Sequence, residues 1–354
     1  MDKPINDGWG IPLSGFTAEW SIPKQPPHDA FIGGRLRGIL GHALFSQVCP
    51  FLVAKCAECA LAAYCDYTCT FKPLAPTALP AYILHDWQVH KKTISVTLLL
   101  MGNASQAAEN WIRGLFSQLP RLDWWGQSGM RLQKVTDWQS GNKLFANGRF
   151  AAQAQLTFAS QWPLVAADVS VNFITPLLSK HQHGDPLMAA LKTRVQRLRN
   201  QFGDAGVFDV SHSLWHCQIN SEQQVNLHLG GGQRKLTASH YHLILTQLTD
   251  SGSALLGAGL WLHAGGQTGL GLGHYRLEPT DAVGRNTDAI NQCERTKVVC
   301  RVRQRGQLNQ AALDGQSGMA QATTAQMESG KRTGSVAELK KIAEVLGLDL
   351  NDLA

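Results

Sequence analysis

In the first half of the chain, stretches whose apolar positions recur with the period of a strand alternate with stretches that have the period of a helix. Residues 12–22 alternate as a half-buried strand does, and residues 29–49 carry apolar side chains at helical spacing. An apolar strand follows at 93–102, an amphipathic helix at 106–119, and a further strand at 132–140. A cysteine-rich segment and a proline-rich stretch separate the first helix from the second strand.

A second set of elements begins near residue 150. Residues 151–160 and 169–178 are predicted strands, 186–203 is a predicted helix, and 224–231 and 235–248 are further apolar stretches. The strand–helix–strand–helix–strand order of the first unit resembles a ferredoxin-like unit. We therefore predict an α+β protein of two tandem ferredoxin-like (RRM-type) modules.

The chain changes character after residue 280. Residues 281–292 are polar and indicate a linker, and short helical patterns punctuated by Gly318, Gly330 and Gly347 follow. The predicted domains are 1–147 with a cysteine-rich insertion, 148–280 with a glycine-rich loop, and a small all-α domain at 293–354.

Composition favours a soluble protein with a polyanionic partner. The net charge is +6, and the hydrophobic content is 44%. The N-terminal residues lack a signal-peptide pattern, and no apolar run is long enough to span a bilayer, so we expect a cytoplasmic protein without a membrane partner.

The tail closely resembles the helix-turn-helix of Xre/Cro-type regulators over about residues 296–354, with QSGM as the turn and AQATTAQMESG as the recognition helix. This resemblance implies contacts to double-stranded DNA, and a helical protein-interaction domain is the alternative. Glutamines would meet base edges, amides at the start of the preceding helix would hold a phosphate, and basic residues would contact further phosphates. The predicted DNA-binding residues are Arg303, Asn309, Gln310, Gln321, Gln326, Lys331 and Arg332.

Four motifs in the first 280 residues resemble those of the CRISPR-associated endoribonucleases of the RAMP superfamily. They are GGRLRGILGHAL with the cysteines after it, VNFITPLL, LKTRVQRLRNQFG and LHAGGQTGLGLGHYRL. The resemblance implies cleavage of CRISPR repeat RNA without a catalytic cofactor. In that chemistry the ribose 2′-OH attacks the adjacent phosphate, which gives a 2′,3′-cyclic phosphate and a free 5′-OH.

Histidine suits the acid and base roles of this reaction because its unperturbed pKa is near 6.5. The resemblance places the catalytic histidine in or beside the first helix, where His42 lies with Arg35 and Arg37 one to two turns earlier. His28, in the loop before the helix, is the alternative or a partner. A histidine that only caps the helix or packs on the core is the structural alternative for His42.

Arginines of the second helix and the glycine-rich loop are the other predicted RNA contacts. Arg194 and Arg197 share a helical face, and few acidic residues lie nearby. The loop is no nucleotide-phosphate loop, since no Gly-Lys-Ser/Thr follows it. The predicted RNA-binding residues are Arg35, Arg37, Arg194, Arg197, Arg199, Arg234, Lys235, Gly265, Gly266, Gly269, Gly271 and Gly273.

The cysteine-rich segment contains one Cys-x-x-Cys pair. Cys56 and Cys59 have zinc-knuckle spacing, and Cys49 and Cys65 would complete a structural zinc site. Free buried cysteines are the alternative.

Three functions remain open at this point. The first is a repeat-RNA endoribonuclease with a DNA-binding or tethering tail, which stays bound to proteins of a CRISPR effector complex. The second is a non-catalytic RNA-binding subunit of such a complex. The third is a transcription regulator whose N-terminal region senses a ligand.

Overall fold

The structure is a computed structural model. It describes residues 10–27, 31–51, 55–152, 154–159, 161–163, 165, 168–178, 185–203, 214–229 and 234–279, together with Gly315, Lys341 and Val345.

The first module has the βαββαβ order of a ferredoxin-like fold. Its sheet runs β2-β3-β1-β4 and is extended at the β4 edge by two short strands. Strand β1 is antiparallel to both β3 and β4. The elements are β1 (Leu13–Ser21), α1 (Gly33–Val48), β2 (Tyr82–His90), β3 (Thr93–Met101), α2 (Ala108–Gln118), β4 (Arg131–Asp137), β5 (Lys143–Ala146) and β6 (Arg149–Phe150).

The second module repeats this topology. Its strands lie in the order β10-β7-β9-β8. The predicted tandem ferredoxin-like fold is therefore confirmed. The elements are β7 (Val169–Phe173), α3 (Pro186–Phe202), β8 (His216–Leu229), β9 (Arg234–Thr246), α4 (Asp250–Leu262) and β10 (Tyr275–Pro279).

Strand β3 contributes to both hydrophobic cores, which explains its nearly continuous apolar sequence. Leu98 and Leu100 pack with α1 and α2 in the first core, whereas Leu99 and Met101 point to the opposite face and join the second core. Neighbouring positions of a strand face opposite sides, so a sheet covered on both faces needs apolar side chains at each position.

Several elements differ from the sequence prediction. Strands β2, β5 and β6, the first half of β8 and helix α4 were not predicted, and the described residues of 151–159 belong to no strand. Helix α4 is apolar nearly all round and contains three glycines, so it has no amphipathic pattern. Two of these glycines lie where a Cβ would overlap the Pro163 carbonyl oxygen or the Tyr275 hydroxyl, which shows why small residues are required there.

The chain divides into two compact units, Met1–Glu278 and Pro279–Ala354, and the first unit contains both modules. The finer predicted boundaries stay predictions. Among the residues that the structure describes, no helix has the length and apolar character needed to cross a membrane.

Candidate nucleic-acid interface

Helix α1 presents a polar stripe to solvent. Arg35, Gly38, His42 and Ser46 recur at intervals of three or four residues and therefore share one helical face. The opposite face is buried and includes Leu36, Leu40 and Leu44. A Cβ at Gly38 would meet no atom within 4 Å, so the surface between Arg35 and His42 is open. We call these four residues the α1 stripe.

His42 is exposed on this stripe. Its ring Nε2 lies 3.3 Å from the Ser46 hydroxyl oxygen, one turn further along the helix. The imidazole does not pack into the core, which argues against the structural alternative for this residue. A hydroxyl partner can donate to the ring or accept from it, so both proton-transfer roles remain open to His42. His28 lies outside the described residues.

Arg35 is held in a fixed orientation beside the stripe. Its Nη1 makes an ion pair of 2.9 Å with an Asp123 carboxylate oxygen, and its guanidinium lies 4.4 Å from the ring centroid of Trp125. The Arg35 side chain is 35% exposed, so one part of its fork remains available to an anion.

Arg37 is directed into the protein rather than toward the stripe. Its Nε donates to the Tyr82 hydroxyl at 3.1 Å, and its guanidinium lies 5.3 Å from the Phe71 ring. Burial raises the pKa of Tyr82 to about 12, so this hydroxyl stays neutral. The predicted RNA contact of Arg37 is not supported, because the side chain is engaged with two aromatic residues of its own module.

The glycine-rich loop, residues 264–273, runs between α4 and β10 and packs against the first module. Gly271 and Gly273 are buried and have positive φ values of 81° and 75°. A Cβ at Gly271 would overlap the Trp87 ring, and one at Gly273 would overlap the Ala264 carbonyl oxygen. The close approach that these glycines allow is therefore to the protein itself, and their contact with RNA stays a prediction.

The other glycines of the loop differ in exposure. Gly265 and Gly269 are half-buried, the first beside Leu178 and the second beside Tyr82. Gly266 is exposed, together with Gln267. Of the predicted loop contacts, Gly266 has the greatest access to solvent.

Arg194 is buried and engaged inside the protein, so its predicted RNA contact gains no support from its position. Its Nη2 donates to the Thr268 hydroxyl at 2.7 Å, and its Nε donates to the Leu262 carbonyl oxygen at 3.4 Å. Burial, reinforced by the nearby charge of Arg197, lowers the pKa of Arg194 to about 9. The residue fastens the glycine-rich loop and the end of α4 to α3.

The remaining predicted basic contacts lie on α3 and β9. Arg197 is exposed and donates to the Thr77 carbonyl oxygen at 3.1 Å, and Arg199 is half-buried. Lys235 is exposed on β9, while the side chain of Arg234 is outside the described residues.

The four predicted zinc ligands line one cavity of about 420 Å³ beside the C-terminal end of α1. Cys49, Cys56, Cys59 and Cys65 are free thiols and half-buried. They do not form a ligand cluster within the described part of the chain, so the zinc site stays a prediction.

A cluster of three histidines was not predicted. His85 Nδ1 lies 3.2 Å from His263 Nε2, and the rings of His263 and His274 stack at 4.8 Å with an angle of 3°. Burial is the largest cause lowering the pKa of each imidazole, to about 3 for His85. His263 and His274 bracket the glycine-rich loop, which was a visible signal. His85 comes from β2, far away in sequence, so no spacing motif connected it to them.

Comparison with known proteins gives two family matches. Residues 12–155 match a family model described as an N-terminal domain, and residues 301–353 match a helix-turn-helix model. The second match confirms the predicted helix-turn-helix of the tail. The seven residues of the tail that are predicted to contact DNA lie outside the described residues. No curated protein matches the sequence.

Among solved structures, the chain is similar to a Cas6 product complex, at 14% identity over 75% of this chain and 99% of the other, with a TM-score of 0.45. A partial Cas6-RT-Cas1–Cas2 complex is 11% identical over 95% of this chain and 64% of the other, with a TM-score of 0.48. A RAMP protein binding different RNA substrates is 10% identical over 75% and 99%, with a TM-score of 0.38.

Proposed function

We propose that the protein is an endoribonuclease that binds and cuts CRISPR repeat RNA, with the α1 stripe as its cleavage surface. The observation that carries the proposal is the exposed imidazole of His42 on the same helical face as the fixed guanidinium of Arg35. The tandem ferredoxin-like modules, the net charge of +6 and the resemblance of the sequence motifs support it.

The reaction needs a base for the ribose 2′-OH, an acid for the departing 5′-oxygen and a cation for the negative charge on the phosphoryl oxygens. His42 takes the proton of the 2′-OH or gives one to the 5′-oxygen, and water serves in the other role. Ser46 orients the His42 ring through the contact at Nε2. Arg35 and His42 are seven residues apart, about 10 Å along the helix axis. Arg35 therefore holds a neighbouring phosphate of the RNA. The open surface at Gly38 leaves room for the RNA backbone between Arg35 and His42.

The test is incubation of the purified protein with end-labelled repeat hairpin RNA in EDTA. The proposal predicts a cut strand whose upstream product ends in a 2′,3′-cyclic phosphate and whose downstream product begins with a 5′-OH. Binding without any cleavage would contradict the endoribonuclease and favour the non-catalytic RNA-binding subunit.

A second function is favoured by the helix-turn-helix match at residues 301–353. We propose that this tail binds double-stranded DNA, with Gln321 and Gln326 at base edges and Lys331 and Arg332 on phosphates. Gel shift with duplex DNA compares the full chain with one that ends at residue 292. Equal shifts for the two proteins would contradict DNA binding by the tail. A Lys331→Ala variant should weaken binding to all sequences and lower the salt dependence.

A further inference from the structure

The three-histidine cluster lies where the two modules meet. His85 belongs to β2 of the first module. His263 directly follows α4, and His274 directly precedes β10 of the second. The glycine-rich loop spans the residues between His263 and His274, so the two stacked rings lie at its base.

The ligand atoms of the three side chains are close together. One ring nitrogen from each histidine lies within 4.8 Å of the others. The His85–His263 separation of 3.2 Å is already close to the spacing of two imidazole nitrogens on a tetrahedral Zn²⁺, about 3.3 Å for Zn–N bonds of about 2.0–2.1 Å. Only His274 needs to approach further.

Hydrogen bonds around the cluster direct a lone pair into it. His263 Nδ1 faces the Leu272 carbonyl oxygen at 3.2 Å, and a carbonyl can only accept. The Nδ1–H of a neutral His263 is therefore committed, which leaves a lone pair on Nε2, the atom that faces His85. A ligating histidine whose other nitrogen donates to a backbone carbonyl is the common arrangement in metal sites.

His85 Nδ1 faces this lone pair of His263 Nε2 at 3.2 Å. A neutral imidazole carries one N–H, on either of its two nitrogens. A metal ion between His85 and His263 takes a lone pair from each of the two facing nitrogens, with the His85 proton on its other nitrogen.

The backbone at His263 has an unusual conformation. Its φ of 59° and ψ of 164° fall in a region that is nearly restricted to glycine. The chain nevertheless places a buried imidazole there, next to a loop whose other positive-φ positions are Gly265, Gln267, Gly271 and Gly273. Such strain is typical of ligand-holding sites rather than of residues that only fill space.

We propose that His85, His263 and His274 bind one divalent transition-metal ion of the zinc class, which fastens the glycine-rich loop and the second module to β2 of the first. Imidazole ligands suit this class of ion. A water would supply the fourth ligand of a tetrahedral site. The proposal is independent of the RNA cleavage proposed above.

The test uses untagged full-length protein in a Cys56→Ser/Cys59→Ser background, which removes the competing thiol pair. After chelation and dialysis, Zn²⁺ is added back, and bound zinc is counted by mass spectrometry. We expect one equivalent, a zinc-edge absorption spectrum with a nitrogen and oxygen shell at about 2.0–2.1 Å, and a higher melting temperature with zinc than without.

The variants His85→Gln and His274→Gln should lose this equivalent and the zinc-dependent rise in melting temperature. His90→Gln, an exposed histidine at the end of the same strand, is the matched control and should keep both. Absence of bound zinc from the parent Cys56→Ser/Cys59→Ser protein, or equal zinc binding by the parent and the three histidine variants, would overturn the proposal. If one variant does not fold, the other and the spectrum of the parent protein still decide.

Discussion

Arg194 and Thr268 are joined by a hydrogen bond of 2.7 Å between the guanidinium and the hydroxyl, and both side chains are buried. This bond links α3 to the glycine-rich loop. The loop in turn lies against α1: the two approach so closely that a Cβ at Gly33 would overlap the Leu270 carbonyl oxygen. The position of the loop beside the α1 helix therefore depends on contacts made inside the protein.

Arg194→Met should lower the free energy of unfolding by about 1–3 kcal/mol, because the Thr268 hydroxyl loses a buried charged donor. Arg197→Met is the control on the same helix, and its exposed side chain predicts a change below about 0.5 kcal/mol. Urea unfolding followed by circular dichroism measures both. Equal effects would show that the buried hydrogen bond contributes nothing specific.

Substitution by alanine should lower the melting temperature at one glycine of the loop and leave it nearly unchanged at another. Gly273→Ala places a Cβ against the Ala264 carbonyl oxygen at a φ of 75°, so we expect a loss of more than 1 kcal/mol and a lower melting temperature. Gly266→Ala, whose nearest neighbour would be 3.7 Å away, should leave the melting temperature nearly unchanged. Equal melting temperatures for the two variants would contradict the packed loop.

The spacing of apolar residues in α3 indicates that Arg194 is buried, whereas the spacing of its arginines suggests an exposed position. Leu187, Leu191, Arg194 and Leu198 recur at helical spacing and form one buried face, so position 194 belongs to the core side. The sequence prediction compared Arg194 only with Arg197 and placed both on a phosphate-facing surface. A basic side chain within an apolar stripe indicates a buried partner.

The module topology was predictable, whereas the contacts between modules were not. Strand and helix periods depend on neighbouring residues and were recognisable at β1, α1, β3 and α2. The partners of the glycines are Tyr82, Trp87, Leu178 and Ala264, and the first three are distant from the loop in sequence. The His85–His263 contact joins residues 178 positions apart, which no local pattern can indicate.

Gly38→Ala should stabilise the protein by up to about 1 kcal/mol, because alanine favours the helix and its Cβ would meet no atom. The melting temperature measures this effect. A decrease would mean that the surface at Gly38 is covered by another part of the chain. The same variant reports on the α1 stripe, since a Cβ in the proposed RNA path should weaken repeat-RNA binding while the protein becomes more stable.

Acid should destabilise the metal-free protein through the histidine cluster. The folded pKa of His85, about 3, lies below the unfolded value near 6.5, so between these values the unfolded state binds a proton that the folded state does not. Stability is therefore lost as the pH falls below about 6.5, with a limiting slope of about 1.4 kcal/mol per pH unit for one such group. His263 and His274 act in the same direction, with Asp86 opposing the shift at His274.

Urea unfolding in EDTA at pH 7 and pH 5 measures this dependence. His85→Gln should show a smaller loss of stability between the two pH values than wild type, whereas His90→Gln should match wild type. The same loss in all three proteins would show that His85 stays out of the folding-linked protonation.

The cleavage rate of repeat hairpin RNA under single-turnover conditions in EDTA tests the role of His42 most directly. We expect wild type to give a 2′,3′-cyclic phosphate product and His42→Ala to cut at least about 100-fold more slowly, because a positioned acid or base typically contributes at least this factor. His42→Ala should still bind the RNA and keep the wild-type melting temperature, since the side chain is exposed. Cleavage by His42→Ala at the wild-type rate would rule out His42 as the catalytic residue.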